Sequence, residues 1–129
     1  MSPLVLAYVG DTVYDLYVRT MLAATTSCTA HGMHVRASRS VCAAAQAAAF
    51  RAIEGELTQE ELAVFKRGRN THSATVPKNA EVGDYRIATG LEALLGFLYL
   101  SGEDERLTGL MRIILESANR TKGDDRHEV

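Results

Sequence analysis

The sequence predicts an all-α fold, and three observations predict it. Trp is absent, Pro occurs only 2 times and aromatic residues make up 6 % of the chain, whereas sandwiches and barrels lean on aromatic and β-branched strands. Apolar residues recur at helical spacing, as at Val13, Tyr17 and Met21 with Tyr14, Val18 and Leu22 beside them. Strong helix formers also run together, in the alanine cluster Ala43 to Ala49 and again from Leu91 to Leu100. The chain has 129 residues, 47 % hydrophobic and 23 % charged. That suits one domain with one ordinary core and excludes disordered and collagen-like classes.

Pro3 can open a first helix, which Gly10-Asp11 interrupts or restarts, and an amphipathic helix continues from Asp11 to about Ala24 before Thr25-Thr26-Ser27 closes it. Thr29 to Ser38 reads as a helical stretch with Gly32 as its weak point, and Ser40 is placed to N-cap a firmer helix through Ile53. Gly55 ends that helix. Thr58-Gln59-Glu60-Glu61 is a capping box for a helix stopping near Gly68. Asn, Thr, Ser, Pro and Gly dominate from Arg69 to Asp84, a long loop of the kind that tends to carry function.

Helical sequence resumes at Tyr85 and runs to about Leu100 with almost no polar face, so this helix should be central. Gly90, Ala93 and Gly96 would let another helix approach it closely. A last amphipathic helix runs from Glu103 to about Ala118. The domain is thus expected over residues 1–118, with a polar, frayed tail over 119–129.

Cys28 and Cys42 make no disulfide framework and read as reduced thiols acting as small buried hydrophobes. The start of the chain, MSPLVLAYVGD, lacks the basic flank of a signal peptide and its apolar run is too short to span a membrane. The expectation is a cytoplasmic protein without a membrane partner.

Glu92 is the sharpest anomaly, the only carboxylate between Tyr85 and Ser101. A buried carboxylate must be paired, protonated or bound to a metal. Two readings stay open: a salt bridge to an arginine such as Arg19 or Arg36, or a functional carboxylate. Asp11, read alone, complements a helix N-terminus, and Asp15 pairs with Arg19 one turn on. Were Asp11 and Glu92 to meet in space, they would offer oxygen ligands to a hard divalent cation such as Mg²⁺.

Net charge is only −2, yet the charge is segregated. No Asp or Glu occurs from Leu62 to Ala80, where Lys66, Arg67, Arg69, His72 and Lys78 gather. A near-neutral chain can thereby present a basic face to phosphate. His34 suits either a nucleic-acid contact or a packing role. No Ser-His-Asp set, Gly-rich phosphate loop or zinc spacing appears.

Leu6-Ala7-Tyr8-Val9-Gly10-Asp11-Thr12-Val13-Tyr14-Asp15-Leu16-Tyr17-Val18-Arg19 and Ala88-Thr89-Gly90-Leu91-Glu92-Ala93-Leu94-Leu95-Gly96-Phe97-Leu98-Tyr99-Leu100 together resemble the two catalytic segments of Mini-ribonuclease III, the small branch of the ribonuclease III superfamily without a double-stranded-RNA-binding domain. Lys66-Arg67-Gly68-Arg69-Asn70 and Tyr85-Arg86 also match, and His34 and Gln46 sit where the family pattern places them.

The resemblance implies the all-α ribonuclease III-like endonuclease domain, working as a homodimer. It implies Mg²⁺-dependent cleavage of double-stranded RNA to 5′-phosphate and 3′-hydroxyl ends, in maturation of the 23S ribosomal RNA precursor. Asp11 matches the catalytic aspartate and Glu92 the metal-ligand glutamate. Lys66, Arg67 and Arg69, with Lys78 and Arg86, are the expected grip on the RNA backbone. Where longer family members carry further acids, this chain has Leu4, Ala7 and Thr89. The competing classes are a non-catalytic double-stranded-RNA binder that keeps the fold and a helical dimerisation or adaptor module.

Overall fold

The most apolar segment of the chain becomes the axis of the molecule. In this computed structural model, residues 1–25, 29–71 and 81–127 are described, with the side chains of Arg36, Arg39, Ser40 and residues 121–127 left outside that description. The elements are α1 (Pro3–Thr25), α2 (Ala30–Ser40), α3 (Ala43–Ile53), a short 3-10 turn (Glu54–Glu56), α4 (Gln59–Asn70), α5 (Val82–Leu100) and α6 (Asp104–His127). Every element among the described residues is helical.

On α5, Leu91, Ala93, Leu94 and Leu95 are wholly enclosed, because α1, α3, α4 and α6 all pack around it. Burying side chains of this size stabilises by about 2 kcal/mol each. Val18, Leu22, Ile53, Phe65, Leu110 and Met111 complete the core.

The glycines decide how closely the helices meet. An ideal Cβ on Gly10 would overlap the carbonyl oxygen of Glu92, and one on Gly96 would overlap that of Leu6. Thus α1 and α5 cross backbone against backbone. On the other side, a Cβ on Gly68 would lie 2.7 Å from Ala93 Cβ, and one on Gly90 would lie 2.6 Å from the Phe65 ring. The small-residue stripe of α5 therefore serves two neighbours: α4 takes Gly90 and Ala93, and α1 takes Gly96.

The Thr58 capping box forms as its sequence predicts, with Thr58 N–H donating to Glu61 Oε1 at 2.9 Å and Glu61 N–H donating to Thr58 Oγ1 at 3.1 Å. Glu61 does more than the motif requires. Arg106 Nε and Nη2 donate to its two carboxylate oxygens at 2.8 Å, and Nη2 also donates to the Glu56 carbonyl at 2.6 Å. These bonds hold the Glu61 carboxyl below its usual range, the Arg106 hydrogen bond first. This fork ties α6 to the start of α4.

Several sequence expectations need correction. Gly10-Asp11 does not break α1, since Gly10 keeps helical backbone and its missing side chain admits α5. Helix α2 continues through Ser40, so the extended N-cap geometry before α3 falls on Cys42 instead. That turn leaves Cys42 exposed rather than buried. Helix α4 reaches Asn70 and α5 begins at Val82, which shortens the expected loop from both ends; its centre, residues 72–80 with Lys78, lies outside the described residues, as does Cys28. Helix α6 carries on past Ala118 to His127, beyond its last core residue, Ile114.

Candidate functional site

The glycine crossing of α1 and α5 puts Asp11 beside Glu92. Gly10 lies against the backbone of Glu92, so the next residue on α1 projects at the side chain of that same α5 position. The Asp11 carboxyl lies close enough to act on the Glu92 carboxyl directly. Glu92 is half-buried and Asp11 is exposed, so the pair opens to solvent on the Asp11 side. Burial first, then the Asp11 hydrogen bond and the Asp11 charge, push the Glu92 pKa up to about 8. Near neutral pH Glu92 keeps its proton.

Of the two arginines weighed as partners of Glu92, the Arg36 side chain lies outside the described residues. Arg19 is engaged elsewhere, its Nε 2.8 Å from Asp15 Oδ2 in the expected i,i+4 pair. Glu92 faces a second acid, Asp11. Two carboxyl groups that cannot both ionise without help form an all-oxygen donor pair suited to a hard divalent cation. The Thr89 hydroxyl donates to the Tyr85 carbonyl of its own helix at 3.0 Å. Ala7 is core. Among the described residues no group of three metal-ligating side chains occurs, so Asp11 and Glu92 stand as a pair.

Two buried polar residues, Tyr14 and Gln46, carry no chemical assignment from the sequence. Tyr14, one turn after Asp11, is only 3 % exposed. Its hydroxyl pKa is pushed up to about 12, by burial first and then by Cys42 and Glu92. Gln46 is also 3 % exposed, and it is the one polar residue within the alanine cluster, a signal visible in the sequence.

Arg67 and Arg69 meet different surroundings, and Lys78 lies outside the described residues. Lys66, Arg67 and Arg86 are exposed. Arg69 is half-buried, its guanidinium 5.7 Å from the centre of the Phe65 ring and its Nε donating to Asn70 Oδ1 at 3.1 Å. Since the Phe65 ring abuts Gly90, Arg69 approaches the α5 turn that leads to Glu92. Arg67 opens instead onto a shallow groove with Leu6, Val64, Phe97 and Leu100. His34 is exposed. No helix among the described residues is long and apolar enough to cross a membrane.

The model of the Ribonuclease III domain family matches residues 4–103. A Mini-ribonuclease 3 of Clostridium tetani is 43 % identical over 129 residues, with 97 % of this chain and 85 % of that protein covered. A Mini-ribonuclease 3 of a Thermoanaerobacter species is 46 % identical over 116 residues, covering 90 % and 82 %. That of Enterococcus faecalis is 42 % identical over 123 residues, covering 94 % and 93 %. A Fusobacterium nucleatum protein solved by X-ray crystallography superposes with a TM-score of 0.82 at 26 % identity, covering 92 % of this chain and 94 % of its own.

Proposed function

The chain belongs to the ribonuclease III family, alongside the Mini-ribonuclease 3 proteins, and is an endoribonuclease; from that premise we propose that it cleaves double-stranded RNA at a Mg²⁺ site built on Asp11 and Glu92. The observation that carries this reading is the meeting of the Asp11 and Glu92 carboxyl groups at the α1–α5 crossing. When bound, Mg²⁺ supplies the positive charge that polarises the scissile phosphate and makes a water more acidic.

The protein's own residues do the rest. Asp11 and Glu92 present oxygen ligands from two helices locked by backbone contact, so their spacing is held without loop motion. Hydrolysis joins a water oxygen to phosphorus and breaks the bond to the 3′ oxygen, leaving 5′-phosphate and 3′-hydroxyl ends. No side chain enters a covalent bond. Lys66, Arg67, Arg69, Lys78 and Arg86 hold the RNA backbone, and A-form shape rather than base sequence governs recognition.

The catalytic domain occupies residues 1–118, with 119–129 as a polar extension. The working form is a homodimer. This is supported by an exposed apolar stripe on α1, where Leu4 is 40 %, Val5 48 % and Tyr8 81 % exposed, next to Leu100 at 49 %. Such a stripe invites a matching surface, and a two-fold copy would bring one site to each strand of a duplex. The natural task is maturation of the 23S ribosomal RNA precursor, in the cytoplasm.

End-labelled duplex RNA incubated with Mg²⁺ or with EDTA tests the reading. Wild-type protein should cut only with Mg²⁺, and Asp11→Asn and Glu92→Gln should bind duplex without cutting it. Cutting by either variant at the wild-type rate removes that residue from the site. Binding without cutting by the wild type would favour a non-catalytic RNA binder, and no binding would leave a helical adaptor.

A further inference from the structure

Helix α3 carries one buried amide, Gln46. On α3, Cys42, Gln46 and Phe50 follow one another at single-turn spacing, the Gln46 N–H donating to the Cys42 carbonyl at 3.0 Å. This face is pinned at both ends. Phe50 stacks on Phe65 with ring centres 3.7 Å apart and planes 9° from parallel, and the Phe65 ring abuts Gly90 on the α5 turn before Glu92. At the other end, Cys42 and Glu92 both act electrostatically on the Tyr14 hydroxyl. Gln46 lies one helical turn from Cys42 and one from the stacked Phe50, with 3 % of its surface exposed.

Its amide is only half satisfied. Nε2 donates to the Val41 carbonyl at 3.3 Å, while Oε1 is buried without a hydrogen-bond partner. A buried acceptor left in this state opposes folding, and an apolar side chain of the same shape would pack there without that penalty. Nothing in the packing of an alanine-rich helix requires an amide at this position.

We infer that Gln46 is a positioning residue for the Asp11–Glu92 pair: its Oε1 accepts from an enclosed water that joins it to Tyr14, and this layer orients the α5 turn carrying Glu92. The inference rests on the assignment of Asp11 and Glu92 as the ion-holding pair, and extends it to residues with no direct contact to the ion. Outer partners of this kind set the orientation of the groups that touch a metal.

The test measures Mn²⁺ binding to the full-length, RNA-free protein by electron paramagnetic resonance, with thermal unfolding recorded in parallel. Gln46→Met should keep or raise the melting temperature and weaken Mn²⁺ binding about tenfold. Tyr14→Phe, which deletes only a hydroxyl, should weaken it similarly, and the double variant should be little worse than either single one. Unchanged Mn²⁺ affinity in Gln46→Met, whatever its melting temperature, overturns the inference, as do losses that simply add in the double variant. Should Gln46→Met fail to fold, unchanged affinity in Tyr14→Phe overturns it equally. Wild-type binding that is lost in Asp11→Asn but intact in Gln46→Met defeats this inference alone. Absence of Mn²⁺ binding by the wild type defeats the metal reading and this inference with it.

Discussion

Two carboxyl groups that face each other repel once both are ionised, and only a proton or a cation relieves them. Glu92, with its pKa pushed up to about 8 from the usual 4.5, is the member that keeps the proton. The consequence for stability has a definite sign. An unfolded chain loses this proton near pH 4.5, whereas the folded chain holds it until about pH 8, so the folded state binds more protons in that window and stability falls as pH rises through it. In EDTA, Glu92→Gln should match wild type near pH 4 and exceed it at pH 8, by about 1–2 kcal/mol or roughly 5 °C in Tm. Equal melting temperatures at both pH values would show that Glu92 ionises without opposition. At this scale the sequence marked Glu92, because one acid in an apolar helix is conspicuous. It could not name the partner, since an arginine and a second acid were equally available to it.

At the scale of elements, the decisive feature is the crossing of α1 and α5. Gly10 was read from sequence as a break in the first helix, and the helix runs straight through it. The lack of a side chain serves contact rather than backbone freedom, because the Glu92 carbonyl takes the space a Cβ would fill. Gly10→Ala should push the helices apart, destabilise the fold by about 3 kcal/mol and carry Asp11 away from Glu92. Mn²⁺ binding and cleavage should then fall together in protein that still melts cooperatively; cleavage at the wild-type rate would show that the crossing does not set the site. The Thr58 capping box was legible because it is local. The fork from Arg106 to the same Glu61 was not, since it joins residues from separate helices.

For the whole molecule, charge and apolar surface divide the labour. The α1 face that bears Gly10 packs on α5, while Leu4, Val5 and Tyr8 turn outward. A charged residue at the centre of this stripe should abolish a two-fold contact. Tyr8→Glu is expected to sediment as a monomer under conditions where wild type sediments as a dimer, with loss of duplex cleavage. A monomeric wild type at micromolar concentration would refute the pairing. By itself the sequence determined the helical class, the central place of the α5 segment, the capping box and the two acids worth watching. Each of these follows from composition, period or local hydrogen bonding, which a linear chain displays. Only the tertiary structure decided that Asp11 and Glu92 face each other, that the α5 glycines serve two helices and that Gln46 is buried half-satisfied. Those facts depend on which backbones can touch, and close contact between distant helices is settled by packing in three dimensions, not by the order of residues along the chain.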